Sequence, residues 1–457
     1  MSLLSCREIT RRVFPVFVGG SAVMLTSWTD TALASHFGLV EVAAVGLSGL
    51  SFFALFAFAN GIGTSVLSLT SALRESAPKA RVMEAFCVAV ILAAILAPVM
   101  VLVSLWALPS LVQILSEDTR VQEALLVYLP PLIVSLLFYY GNAGIRGLML
   151  AYKRPDVTMQ VSLSMQLVNF LLSLAFAFGL GPFPELGFYG VALATLVSYV
   201  FGFGFYLLRL FLLMREHGLA LCVPKLGYAF YVLKKILFAG VYQAQYALGF
   251  LAGIWIVGRI GTVELAVYQL LTQGMLLPIY LCNAFTTLMI SQCAAAQERG
   301  DYPEVRAVGL QLMRLCLAIV AGYSLLATLL YPSLLRLSLP EAANYAALVF
   351  AVSLAPMLFP LQSLSTLANA LLQGMQAYER VWLVSTICQW LVYLPLAFLF
   401  ALVFKFGLLA VLVVEGSYRL LQSAVQLLGW RARLRAGENG SGQVMIRGGE
   451  DRKASAA

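Results

Sequence analysis

Apolar and polar positions alternate along this chain in long blocks rather than at helical or strand spacing. Twelve apolar runs occupy roughly residues 13–35, 43–70, 84–109, 123–150, 157–180, 188–214, 232–258, 264–292, 305–330, 343–374, 381–404 and 407–430. Each is long enough to cross a bilayer as a helix, which takes about 20 apolar residues. Short polar connections separate them. They carry helix-ending dipeptides such as Ala77-Pro78, Arg154-Pro155 and Gly181-Pro182, and the turn Gly300-Asp301-Tyr302-Pro303. The longest internal connection follows the sixth run. The pattern therefore predicts an N-terminal lobe of six helices (1–218), a connection (219–231), a second six-helix lobe (232–432) and a tail (433–457). The tail is rich in Gly, Ser and charge and is expected to be disordered.

Composition agrees. The 457 residues are 61% hydrophobic and 11% charged, against about 45–50% and 25% in soluble domains. This predicts an all-α integral membrane protein. The first run is too long for a signal peptide and lacks a small-residue cleavage site. The net charge of +8 is unevenly placed. Arg120, Arg259, Arg336 and Lys405 are the only Lys or Arg residues in odd-numbered connections. The rest lie at the termini, in even-numbered connections or at adjoining helix ends. By the positive-inside rule both termini and the even connections face the cytoplasm. The charge thus requires no nucleic acid.

The two halves repeat. Gly38-Leu-Val-Glu41-Val-Ala43 matches Gly261-Thr-Val-Glu264-Leu-Ala266 at an offset of 223 residues, which also relates Asn60 to Asn283. Asn142 and Gly147 match Asn369 and Gly374 at an offset of 227. Six helices per half make both halves enter from the same side. The repeat is parallel, about a pseudo-twofold axis along the membrane normal, as in some secondary transporters.

Asp30 is the one charge in the first run, and the repeat places Gly253 at its position in the second half. An aspartate inside a membrane helix costs roughly 2.5–3.5 kcal/mol and usually faces a bundle interior or a water-filled cavity. The alternative is a hydrated helix end. A charged carboxylate in a dry bundle needs donors. Candidates are Asn169 and Ser173, one turn apart on helix five, Thr195 on helix six, and Tyr139, Tyr140 and Asn142 on helix four. In the second half the intramembrane polar groups are mostly amides: Gln243, Gln245, Asn283, Gln362 and Asn369. With Trp28 they are candidates to line a substrate cavity without exchanging protons. Glu415 and Arg419 are spaced to pair with each other as a structural element.

No catalytic constellation is present. There is no GxxxxGK[ST], GxSxG or HExxH, and two histidines and seven cysteines without CxxC spacing give no metal or disulfide framework. An enzyme is not expected, nor a metal or organic cofactor.

Four stretches carry a resemblance. TSWTDTALASHFG around Asp30, with Val-Ala-Ala-Val-Gly46 after it, resembles the first-helix signature of multidrug and toxic compound extrusion (MATE) transporters. GIRGLMLAYKRP (144–155), VNFLLSLAFAFGLGPFPELGFYGVALATLVS (168–198) and IVGRIGTVELA (256–266) resemble that family's helix-four exit, helix-five to helix-six segment and helix-seven to helix-eight loop. With the repeat, the resemblance covers about residues 10–430. It implies antiport of small organic compounds against H⁺ or Na⁺ by a monomer in the cell membrane. The family's ion-coupling aspartate matches Asp30, and its first-lobe network matches Asn169 and Thr195. Ser173 stands where many members have a second aspartate. Helix seven has no acid, and the helix-ten region offers Gln362 and Ser363 where some members hold a second cation site. That combination resembles the DNA-damage-inducible branch. The expectation is H⁺-coupled export of hydrophobic, often cationic, compounds. A Na⁺-coupled antiporter and a lipid-linked precursor flippase of the same superfamily are the alternatives. The flippase would call for more internal cations than Arg146 to hold a pyrophosphate.

Overall fold

The computed structural model describes residues 4–454 apart from Ser76, Leu339 and Glu341, with side chains through Asn439 (Ala343 excepted). Among these residues the chain is helical, in twelve long segments. They are α1 (Cys6–Phe37), α2 (Leu39–Leu73), α3 (Lys79–Leu115), α4 (Thr119–Ala151), α5 (Pro155–Phe178), α6 (Gly187–His217), α7 (Leu226–Ile260), α8 (Thr262–Glu298), α9 (Tyr302–Ser338), α10 (Ala346–Gly374), α11 (Tyr378–Val403) and α12 (Gly407–Ala454). Eleven are long and apolar enough to cross a membrane. The exception is α1. Its 32 residues suffice in length, but Ser21, Thr26, Ser27, Thr29, Asp30 and Thr31 lower its hydropathy. The helix that carries Asp30 is also the least lipid-like.

Local chemistry explains the helix ends. Asp118 caps α4, its carboxylate accepting from the Arg120 backbone N–H at 2.9 Å. The Arg120 side chain bonds the same carboxylate at 3.0 Å and holds its pKa below the usual range. Pro155 opens α5 at a position that needs no N–H donor, and Gly179 closes it with φ 65°. α10 is broken by a tight turn at Ala355–Met357 around Pro356. α11 is wound loosely at Ile387–Tyr393 and Leu399–Val403, on either side of Pro395, which cannot donate to the helical ladder.

Two compact units emerge. One comprises Thr10–Thr70 and Pro78–Leu251; the other comprises the chain up to Ile9, the segment Ser71–Ala77 and everything from Ala252. The lobe boundary expected at 219–231 is therefore displaced, and most of α7 belongs with α1–α6. The cause is local. A side chain on Gly61 of α2 would overlap the Gly240 backbone of α7, and Ser65 donates to the Lys235 carbonyl at 3.4 Å. In the other unit, Ser71 and Ser291 hydroxyls meet at 3.0 Å, and Arg299 bridges Glu75 (3.0 Å) and Glu304 (2.6 Å).

The tail also departs from expectation. α12 continues to Ala454, so 433–454 is helical rather than disordered. Trp430 and Leu434 are buried, and Gly437 lies against Tyr302 of α9. These contacts extend the helix past the last apolar run. The final three residues lie outside the described ones.

Candidate functional site

Asp30 lies seven residues before the end of α1, about 10 Å along its axis. It is only 6% exposed, so it is not a hydrated helix end. The Tyr128 hydroxyl of α4 donates to its Oδ2 at 3.1 Å. Tyr128 is itself buried and stacked on Phe188 of α6, with ring centroids 4.9 Å apart. Phe188 packs on Phe37, and Phe37 on Phe178. These rings fix the phenol against the carboxylate.

Asn169 and Thr195 meet as a second pair. The Asn169 amide donates to the Thr195 hydroxyl at 3.0 Å, and that hydroxyl donates to the Val191 carbonyl at 3.3 Å. Thr195 is close enough to Asp30 to act on its carboxyl, but its one proton is directed to Val191. Ser173 is fully buried one turn from Asn169. Asp30 Oδ1, Asn169 Oδ1 and Ser173 Oγ bond to no described residue. Two acceptor oxygens and one hydroxyl are thus buried in this unit without a described partner.

Two of the residues expected beside Asp30 are elsewhere. Tyr139 lies eleven residues past Tyr128 on α4, about 16 Å deeper. It donates instead to Asn60 Oδ1 at 3.0 Å. Asn142 is buried further along the same helix, and its Oδ1 also lacks a partner. Tyr128 was not anticipated. Depth would have found it: counted from the end of α1 and the start of α4, Asp30 and Tyr128 lie at similar levels, whereas Tyr139 and Asn142 do not.

The cavity candidates also divide. Asn283 and Gln362 line one small cavity with Met275, Ile279, Cys282 and Thr366. Asn369 is buried two turns beyond Gln362 on α10. Gln243 and Gln245 belong to the other unit. Trp28 is 59% exposed on α1 and lines no cavity described for these residues. Glu415 and Arg419 pair at 3.6 Å inside the second unit.

The family model MatE matches residues 15–175, the stretch that holds Asp30, Tyr128 and Asn169. The "Probable multidrug resistance protein NorM" of Pseudomonas aeruginosa is 25% identical over 419 residues, 89% of this chain and 85% of that protein. This chain is thus similar to the MatE family over about a third of its length. A protein of the same description from Geobacillus kaustophilus is 26% identical over 197 residues, 42% of this chain and 43% of that relative. That match thus spans less than half of either. Among solved structures, a crystal structure of MATE in complex with MaL6 superposes with a TM-score of 0.83 at 20% identity, covering 94% of this chain and 97% of that one. The chain therefore shares the fold of that structure, and its described residues form twelve long helices of a multi-pass membrane architecture.

Proposed function

We propose that this chain is a secondary antiporter that exports hydrophobic organic compounds, cations among them, in exchange for H⁺ taken up by Asp30. The observation that carries the reading is the buried Asp30 carboxylate, bonded by Tyr128 through one oxygen and by no described residue through the other. A group so placed changes its bonding when it gains a proton. Charged, it accepts from Tyr128. Neutral, it becomes a donor, and acceptors without donors lie in the same unit on Asn169 and Ser173. Protonation therefore favours a different arrangement of α1 against α5 and α6. Coupling requires such differential stabilisation of two states. Protonation from outside would release the substrate, and deprotonation inward would reset the protein. No ATP motif competes with this scheme.

The same surplus oxygens support Na⁺ as the second reading, since Na⁺ takes several oxygen ligands. Proteoliposomes given ΔpH and ΔpNa separately distinguish the two. Transport under ΔpH alone is expected; transport under ΔpNa alone would overturn the H⁺ reading. The remaining features of the proposal are a monomer in the bacterial inner membrane with both termini cytoplasmic. Cysteines introduced at Gly38 and Lys153 test that topology. An impermeant reagent outside should label position 38 and leave 153 untouched; the reverse would invert it.

A further inference from the structure

Arg146 is the charge that the coupling scheme does not use. It lies on α4, partly buried, and its guanidinium donates to Asn60 Oδ1 of α2 at 2.9 Å. The Tyr139 hydroxyl, two turns earlier on the same helix face, donates to the same oxygen at 3.0 Å. No carboxylate among the described residues pairs with Arg146. A guanidinium has five N–H donors, so most of its capacity is unspent. A cation in a membrane helix without an ion-pair partner is costly and marks function by default. Asp30 does not neutralise it: the tyrosine that holds Asp30 lies 18 residues away on α4, about 27 Å along the helix.

The surroundings are rigid and aromatic. α2 and α4 touch backbone to backbone at Gly63 and Gly147, where a side chain on Gly147 would overlap the Gly63 carbonyl. That crossing brings Asn60, about one turn before Gly63, within reach of Arg146, the residue next to Gly147. The Tyr139 ring packs on Phe56 (4.2 Å between centroids) and Tyr199 (5.7 Å), and those two lie 5.9 Å apart. Tyr206 is near enough to feel the Arg146 charge.

The repeat supplies an independent observation. At the same two offsets, Phe56 corresponds to Ile279, Asn60 to Asn283 and Tyr139 to Thr366. All three second-half residues line the cavity described above. The fold thus builds a concave polar surface at this place in the second half. In the first half the same frame carries aromatic rings, and Arg146 stands where the second half has Gln373.

We propose that Arg146, Tyr139 and Asn60 form an anion subsite, and that the compounds this chain carries include aromatic carboxylates with no positive charge. The proposal rests on the transport reading above and extends it. A planar guanidinium receives a carboxylate through two parallel N–H bonds. The Tyr139 hydroxyl, whose one proton goes to Asn60, becomes a third donor by turning from that oxygen to the ligand, and Phe56 and Tyr199 present ring surface to the aryl group. Among the described residues no carboxylate bonds Arg146, Tyr139 or Asn60, so a net anion fits the subsite better than a zwitterion.

Equilibrium binding to the purified full-length protein in detergent tests this without any gradient, so its outcome is separate from that of coupling. The probes are 1-pyrenecarboxylate, its neutral amide and the cationic 1-pyrenemethylammonium. Wild type is expected to bind the carboxylate about tenfold more tightly than the amide, about 1.4 kcal/mol. Arg146→Gln, which installs the second-half residue, should erase that preference while leaving the cation's affinity unchanged or improved. Arg146→Lys should keep part of it, and Tyr139→Phe should reduce it about threefold with the cation intact. Equal binding of carboxylate and amide by wild type would overturn the proposal. So would a preference that survives Arg146→Gln in a protein that still binds the cation. If Arg146→Gln does not fold, an undiminished preference in both Arg146→Lys and Tyr139→Phe would overturn it equally.

Discussion

The two halves of this chain share a frame and differ in charge. In the first, Asp30 is bonded by Tyr128, Asn169 is bonded to Thr195, and Arg146 is bonded to Asn60. In the second, Gly253 occupies the Asp30 position, and a side chain there would reach to 2.8 Å from the Tyr393 hydroxyl. Gln373 occupies the Arg146 position, and the cavity is lined by neutral groups including Asn283, Gln362 and Ser363. In the second half the half-buried Glu415 is already matched by Arg419 at 3.6 Å. Amides hydrogen-bond in both directions but cannot exchange a proton near neutral pH. Under the proposed function, ion coupling falls to the first half and substrate contact to the second.

Three substitutions sharpen that contrast. Tyr128→Phe has the largest expected effect. It removes the one donor observed on Asp30, a bond to a charged group worth about 1.5–3 kcal/mol. ΔpH-driven transport should fall about tenfold or more, with substrate binding in detergent little changed; an unaltered rate would show that Tyr128 only fills space. Asn169→Ala comes next. It deletes the bond to Thr195 and leaves the titrating group in place, so a loss of about threefold is expected. A loss as complete as that from removing the acid would mean that Asn169, not Tyr128, is the partner that matters. Gln362→Ala is the mildest. KM for some substrates should move about two- to threefold, while the ratio of transport with and without ΔpH stays at the wild-type value. Abolished ion dependence in a well-expressed Gln362→Ala protein would place coupling in the wrong half.

The membrane class and the repeat were legible in the chain because block hydrophobicity and polar landmarks are written directly in residue order. Asp30 stood out for the same reason: one charge in an apolar run. Its partner did not. Tyr128 sits between apolar neighbours on a helix with two other tyrosines, and only matched depth separates it from Tyr139 and Tyr140. The donor role expected of Asn169 also went elsewhere: its amide donates to the Thr195 hydroxyl at 3.0 Å. The lobe boundary was misplaced because loop length marks where the chain turns and not which helices pack. The Gly61–Gly240 contact that ties α7 to α2 joins residues 179 positions apart, and nothing local announces it. Residues 433–439 looked too polar for a continued helix, yet Trp430 and Leu434 supply a buried face that composition averages away.

The most direct measurement is ΔpH-driven efflux by Asp30→Asn in proteoliposomes, beside wild type at equal protein density. The substitution keeps the side chain's size and hydrogen-bonding reach and removes its titration. The account predicts a protein that inserts normally and still binds substrate in detergent, but that moves no substrate against its gradient when a pH difference is imposed. Wild-type rates of uphill transport from Asp30→Asn would contradict it and place the coupling group elsewhere in the chain.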